Sequence, residues 1–132
     1  MAELVEGRQR SWQKWERVSA PDNGGGWTTV INETARKIPA GMYRIAWSME
    51  LAVLTGGLGS GVRARVTVNS NEKAFFNDRN PDTQFDGRSG WDFQHYDDGA
   101  QPTFLVEFRK SGGTDEARIR RIKVSLELMK DD

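Results

Sequence analysis

"MYRIAWSMELAV", Met42 to Val53, reads as a strand with one buried side. Tyr43, Ile45, Trp47, Met49, Leu51 and Val53 recur at every second position, with Arg44, Ala46, Ser48, Glu50 and Ala52 between them. Side chains alternate across a strand, so this period of two sets the apolar series against a core. The other series faces water, as in an antiparallel sheet with one solvated side. "PAG", Pro39 to Gly41, supplies the turn before it. "VRARVTV", Val62 to Val68, repeats the pattern with Val62, Ala64, Val66 and Val68 inward. With the glycine-rich "TGGLGSG" between them, the two strands predict a hairpin.

Weaker strands are expected at "SWQKWERV" and "WTTVINETARKI" before this pair, and at "KAFFND", "GWDFQHY" and "TFLVEF" after it. "APDNGGG", "NSNE" and "DDGAQP" carry the residues that turns require, and "NDRNPDTQFDGRSG" is a longer polar excursion. In the last segment Ile122, Val124, Leu126 and Leu128 alternate with Arg121, Lys123, Ser125 and Glu127, while Ile119 is out of phase. A bulge near Arg120 and Arg121 restores the phase. "KSGGTDEA" then reads as the loop of a closing hairpin whose basic side meets water or a partner. About eight short antiparallel strands and no long helix predict an all-β, two-sheet β-sandwich, a jelly roll before an immunoglobulin-like sandwich. Residues 1–10 are expected to form a flexible arm and 11–132 a single domain.

Nineteen Lys and Arg balance nineteen Asp and Glu, so no whole-molecule field attracts nucleic acid or an anionic membrane, and neither is an expected partner. Without cysteine there is no disulfide, thiolate metal site or thiol nucleophile. "MAELVEGRQRSW" has neither the basic segment nor the apolar run of a signal peptide, so synthesis in the cytoplasm is expected. No stretch approaches the roughly 20 apolar residues of a membrane-spanning helix.

Motifs for chemistry fail on spacing. "GGLGSGVR" puts Val62 and Arg63 where a phosphate loop needs Lys then Ser or Thr, and a strand follows it. Asp78, Asn80 and Asp82, with Asp86 nearby, have calcium-loop spacing, but Thr83 and Ser89 replace the required Gly and Glu, so a solvated loop is expected. His95, the one histidine, lies near Asp92, Asp97 and Asp98 without a nucleophile elbow, and Ser89 and Ser111 read as turn residues. Glu50 and Glu107 have the residue type for glycoside cleavage, but both fall at outward, solvated positions. No enzymatic activity, cofactor or metal is expected.

Two groups of side chains remain as candidate partner-binding residues. Trp12, Trp15, Trp27 and Trp91 stand near strand starts or loops, where an indole packs at an interface or stacks on a sugar ring. Trp47 belongs to the core series. Arg118, Arg120 and Arg121 lie on the basic side of the last strand, interspersed with acids that cross-strand pairing can neutralise.

"IPAGMYRIAWSMEL", then "VRARVTVN", then "FLVEFRKSGGTDEARIRRIKVSLELM" resemble, with an "AGxYRIxWxxE" strand in the first half and a terminal "ARIRRxxxxLE" strand, the small jelly-roll virion structural proteins of tailed bacteriophages. The likeness spans Ile38 to Met129 and rests on Gly41, Tyr43, Arg44 and Trp47, then on Arg109, Ala117, Arg118, Ile119, Arg120 and Arg121. It implies a non-enzymatic capsid decoration or cement protein, or a tail-mounted one. Its expected partner is the major capsid protein or another virion protein, with a homo-oligomer such as a trimer also expected. The alternative is a carbohydrate-binding or host-attachment β-sandwich module that stacks sugar on exposed Trp. "NDRNPDTQFDGRSG" and "DNGGG" match nothing in the family pattern.

Overall fold

The computed structural model describes residues 12–22, 26–53, 61–79, 85–111 and 116–132. Eight strands fill most of this length: β1 (Trp12–Asp22), β2 (Thr28–Thr34), β3 (Gly41–Val53), β4 (Gly61–Val68), β5 (Asn71–Arg79), β6 (Asp86–Tyr96), β7 (Thr103–Ser111) and β8 (Ala117–Asp131). They form two four-stranded antiparallel sheets, sheet I in the order β1-β8-β3-β6 and sheet II in the order β2-β7-β4-β5. The chain pairs as a ribbon folded at its middle: β1 with β8, β2 with β7, β3 with β6, and β4 with β5. Rolled so that successive pairs alternate between sheets, this ribbon is the jelly roll expected from the sequence.

The alternating series set the core. Tyr43, Ile45, Met49 and Leu51 of β3 and Ile122, Val124 and Leu126 of β8 meet Val62, Ala64 and Val66 of β4 and Phe104, Val106 and Phe108 of β7, all buried. Leu128, expected inward with its series, is only partly buried at the sandwich end, and Ala52, expected outward, is buried. Trp47 packs over Gly90, its partner across the β3–β6 pair; a Cβ at Gly90 would lie 2.9 Å from the indole, so only glycine leaves room for the ring. The Tyr43 hydroxyl donates to the Pro39 carbonyl at 2.7 Å, and its ring meets Tyr96 edge-to-face at 5.8 Å.

Two hairpin expectations are overturned. β3 and β4 lie in opposite sheets, as do β7 and β8, so neither pair is a hairpin. Alternation fixes which face a strand buries and is silent on its neighbour. Among the described strands, the one hairpin within a sheet joins β4 to β5 through Asn69 and Ser70, with φ 50° and 68°, between paired Val68 and Asn71. Positive φ at both central residues suits a right-handed twist and favours Asn-Gly. Ser70→Gly is therefore expected to raise stability by about 0.5–1 kcal/mol, read as a higher urea midpoint at unchanged slope.

The expected bulge is present. Ser48 lies opposite Lys123 and Glu50 opposite Arg120, so Met49 faces both Arg121 and Ile122. Arg121 has φ 52°, and the extra residue brings Ile119 and Ile122 both inward. The polar excursion is shorter than expected, because β5 runs to Arg79 and β6 starts at Asp86. Ser89 and Ser111, expected in turns, are strand residues. The expected arm, and Asn80 and Asp82 of the calcium-loop spacing, lie outside the described residues.

Candidate binding faces

The outer face of sheet I carries most of the candidate residues. On the edge strand β6, Trp91 and Phe93 both point outward and meet edge-to-face at 5.2 Å. Trp91 is 61% exposed and Phe93 48%. They lie opposite Ala46 and Arg44 of β3, and Met42, next along the same face, is also exposed. Small side chains beside the indole, Ala46, Ser48, Ser89 and Ser125, leave a shallow depression rimmed by Arg44 and Lys123.

The charges around this apolar strip are internally compensated. Arg44 pairs with Glu127 at 3.3 Å, and His95 Nε2 lies 2.8 Å from Asp132 Oδ2. Beyond Ser48, Glu50 accepts from Arg120 Nε at 2.6 Å and from Arg121 Nη1 at 3.3 Å. The Arg120 hydrogen bond, with help from Arg121, holds the Glu50 carboxyl below its usual range. Arg120 also covers the Phe85 ring at 3.9 Å, and Arg118 Nε donates to Glu116 at 2.6 Å. The bulge is what lets one carboxylate hold two consecutive arginines, since it keeps Arg120 and Arg121 both away from the core. Arg118, Arg120 and Arg121 therefore form a paired border.

The other tryptophans divide. Trp27 sits on the outer face of sheet II, under Arg65 at 4.1 Å and Arg109 at 5.6 Å from its ring centre, with Phe75 edge-on at 6.4 Å. Trp12 and Trp15 place their backbones opposite Glu127 and Val124 of β8, and their side chains lie outside the described residues. Trp47 is buried in the core, as expected.

The two acids weighed for glycoside chemistry are on opposite sides of the molecule. Glu50 projects from β3 of sheet I and Glu107 from β7 of sheet II, so they cannot flank one bond. Glu107 is also not solvated as expected; it is buried, and its carboxylate accepts from Arg65 Nε at 2.7 Å. Asp92, which accompanied His95 in the sequence, instead accepts from Lys73 at 3.0 Å across the side of the sandwich, which lowers its pKa. No group of three or more potential metal ligands occurs among the described residues. No described helix is long and apolar enough to cross a membrane.

No family model and no curated protein matches the chain. Among solved structures, a region of dimeric latent PorU from Porphyromonas gingivalis superposes with a TM-score of 0.55 at 13% identity, covering 90% of this chain. The match spans only 13% of PorU. The C-terminal domain of EclA, a sugar-binding protein, gives 0.52 at 17% identity over 86% of this chain and 78% of that domain. The infectious bursal disease virus Gx strain structure gives 0.46 at 9% identity over 92% of this chain and 37% of the viral one. For PorU and EclA, at these identities, the likeness is one of fold alone.

Proposed function

We propose that the chain is a non-enzymatic virion structural protein, a capsid decoration subunit that docks on the major capsid protein or another head protein through the outer face of sheet I. The Trp91–Phe93 pair is the observation that carries this reading. Two adjacent aromatic rings with about half their surface in water, bordered by charges that already have partners, match the apolar centre and polar rim of a protein interface. The first and last motifs of the family resemblance, far apart in sequence, meet on adjoining central strands, where Arg44, Arg118, Arg120 and Arg121 turn to the outer face of sheet I while Tyr43, Trp47, Ala117 and Ile119 are buried.

The test uses particles of the encoding virus assembled without this chain, mixed with purified protein and sedimented. Wild-type protein is expected to travel with the heads, and Trp91→Ala with Phe93→Ala to weaken that association at least tenfold while the circular dichroism stays that of a β-sandwich. Absence of the wild-type protein from the particle fraction contradicts the proposal. Light scattering over a range of concentration and salt reads self-assembly in the same preparation, a stable closed oligomer supporting the assembly role.

A further inference from the structure

We infer that the outer face of sheet II is a second binding face, a groove that takes a short neutral oligosaccharide. This goes beyond the docking role of sheet I and does not depend on it. The register lines up one side chain from each strand in rows across the sheet. One row is Asn32, Leu105, Thr67 and Glu72, each opposite the next across β2, β7, β4 and β5. The row beside it places Glu107 opposite Arg65 and Arg65 opposite Phe75. On the far side Thr103 adjoins the Asn69–Ser70 turn. These residues, Phe75 apart, line a broad open depression floored by Leu105 and Thr67 and about 14 Å across at a strand spacing of ~4.8 Å.

Its polar groups are fixed before any ligand arrives. Thr103 N donates to Asn69 Oδ1 at 2.9 Å, which orients that amide and leaves its NH2 for another acceptor. Thr103 and Thr34 hydroxyls share a 2.9 Å hydrogen bond. Arg65 is clamped twice, by Glu107 at Nε and by the Trp27 ring beneath its guanidinium, so its remaining N–H groups and the second Glu107 oxygen keep their directions. Behind Arg65, Trp27 meets Phe75 edge-on and backs the guanidinium without lining the groove.

A dense alternation of donors and acceptors around a small apolar floor suits a ligand with hydroxyls on its rim and C–H groups on its faces. Charge selects among such ligands. Arg65 is offset by Glu107, and Glu72 adds a further carboxylate to the lining, so phosphate, sulfate and uronate groups are disfavoured. An extended peptide would add as a strand along the backbone of an edge, whereas this groove crosses the strands on the sheet face and presents side chains. The sequence points to exposed indoles as the platform for carbohydrate; the groove instead offers polar side chains from four strands, and Trp27 contributes by holding Arg65.

The experiment is saturation-transfer NMR and calorimetry on the full chain with a panel of neutral trisaccharides (malto-, cello- and manno-triose, chitotriose), and with a uronate trisaccharide for comparison. Binding of at least one neutral member is expected, weakened about tenfold or more by Asn32→Ala combined with Thr67→Val and unchanged by Trp91→Ala. Neither groove substitution touches the core, so an unaltered thermal midpoint shows the fold intact. Three results overturn the inference: no neutral saccharide binding at millimolar concentration, binding of the uronate alone, or binding lost in Trp91→Ala and kept in the groove variant. Particle sedimentation reads sheet I and saccharide titration reads sheet II, so each proposal fails separately.

Discussion

Tyr43→Ala is expected to remove about 3–5 kcal/mol of stability, as truncation of a large buried aromatic residue does. That is a large part of the 5–15 kcal/mol typical of a whole domain. Tyr43 is fully buried, joins the start of β3 to the end of β6 through its contact with Tyr96, and anchors the Pro39 carbonyl ahead of the strand. The alanine variant loses the ring from the core and leaves a cavity between the sheets. Tyr43→Phe keeps the ring and loses only the hydroxyl's hydrogen bond, for an expected cost of about 1 kcal/mol. Urea unfolding followed by tryptophan fluorescence reads both. Equal losses for the two variants would move the importance of Tyr43 from packing to the Pro39 contact.

Unfolding at alkaline pH is the second large effect. Burial pushes the Tyr43 hydroxyl up to about 12, with Asp98 adding to the rise, and burial pushes Tyr96 to about 12 as well, against 10.0 for a free phenol. Each folded value lies above the unfolded one, so below pH 10 both states hold the proton and stability is undiminished. Between pH 10 and 12 the unfolded chain gives up protons that the folded chain keeps, and stability falls. Tyr43, fully buried, loses on the order of 2 kcal/mol by pH 12, and Tyr96, only partly buried and screened by solvent, loses less. These are the only two tyrosines, which makes phenolate absorbance a direct reading of the pair. It should rise late and together with loss of the folded fluorescence. Tyr96→Phe should remove part of the steepness. A phenolate rise centred at pH 10 in protein that is still folded would contradict the burial argument.

The sequence carried strand faces well and strand neighbours poorly. The series from Tyr43 to Val53 and from Val62 to Val68 marked the inward side of β3 and β4, because a period of two is a property of one strand alone. The phase slip at Ile119 located the bulge at Arg121 for the same local reason. Pairing is decided by long-range contacts, so the glycines after Val53 suggested a hairpin where the chain changes sheets. Trp91 was singled out as an indole outside the core series, but its exposure follows from Gly90, whose missing side chain admits Trp47 and sets the phase of β6. Glu107 occupied an outward position that alternation equated with water, and only the arginine opposite it and the rings around that pair explain its burial. The groove was illegible, since Asn32, Thr67, Glu72 and Leu105 form no motif until four strands align them.

The folded-ribbon pairing also bears on when the chain can fold. Trp12 pairs with Glu127 and Asp22 with Ala117, so β1 leaves the ribosome roughly a hundred residues ahead of the strand it needs. At 5–20 residues per second it waits about 5–20 s. β8 separates β1 from β3 in sheet I, so β1 has no place there until β8 arrives. The β4–β5 hairpin closes the shortest loop and can form first, with pairs added outward from that fold point at rising entropic cost. A nascent chain stalled before β8 would therefore present β1 unpaired and one edge of β3 bare, and sheet I would be completed only once β8 has emerged.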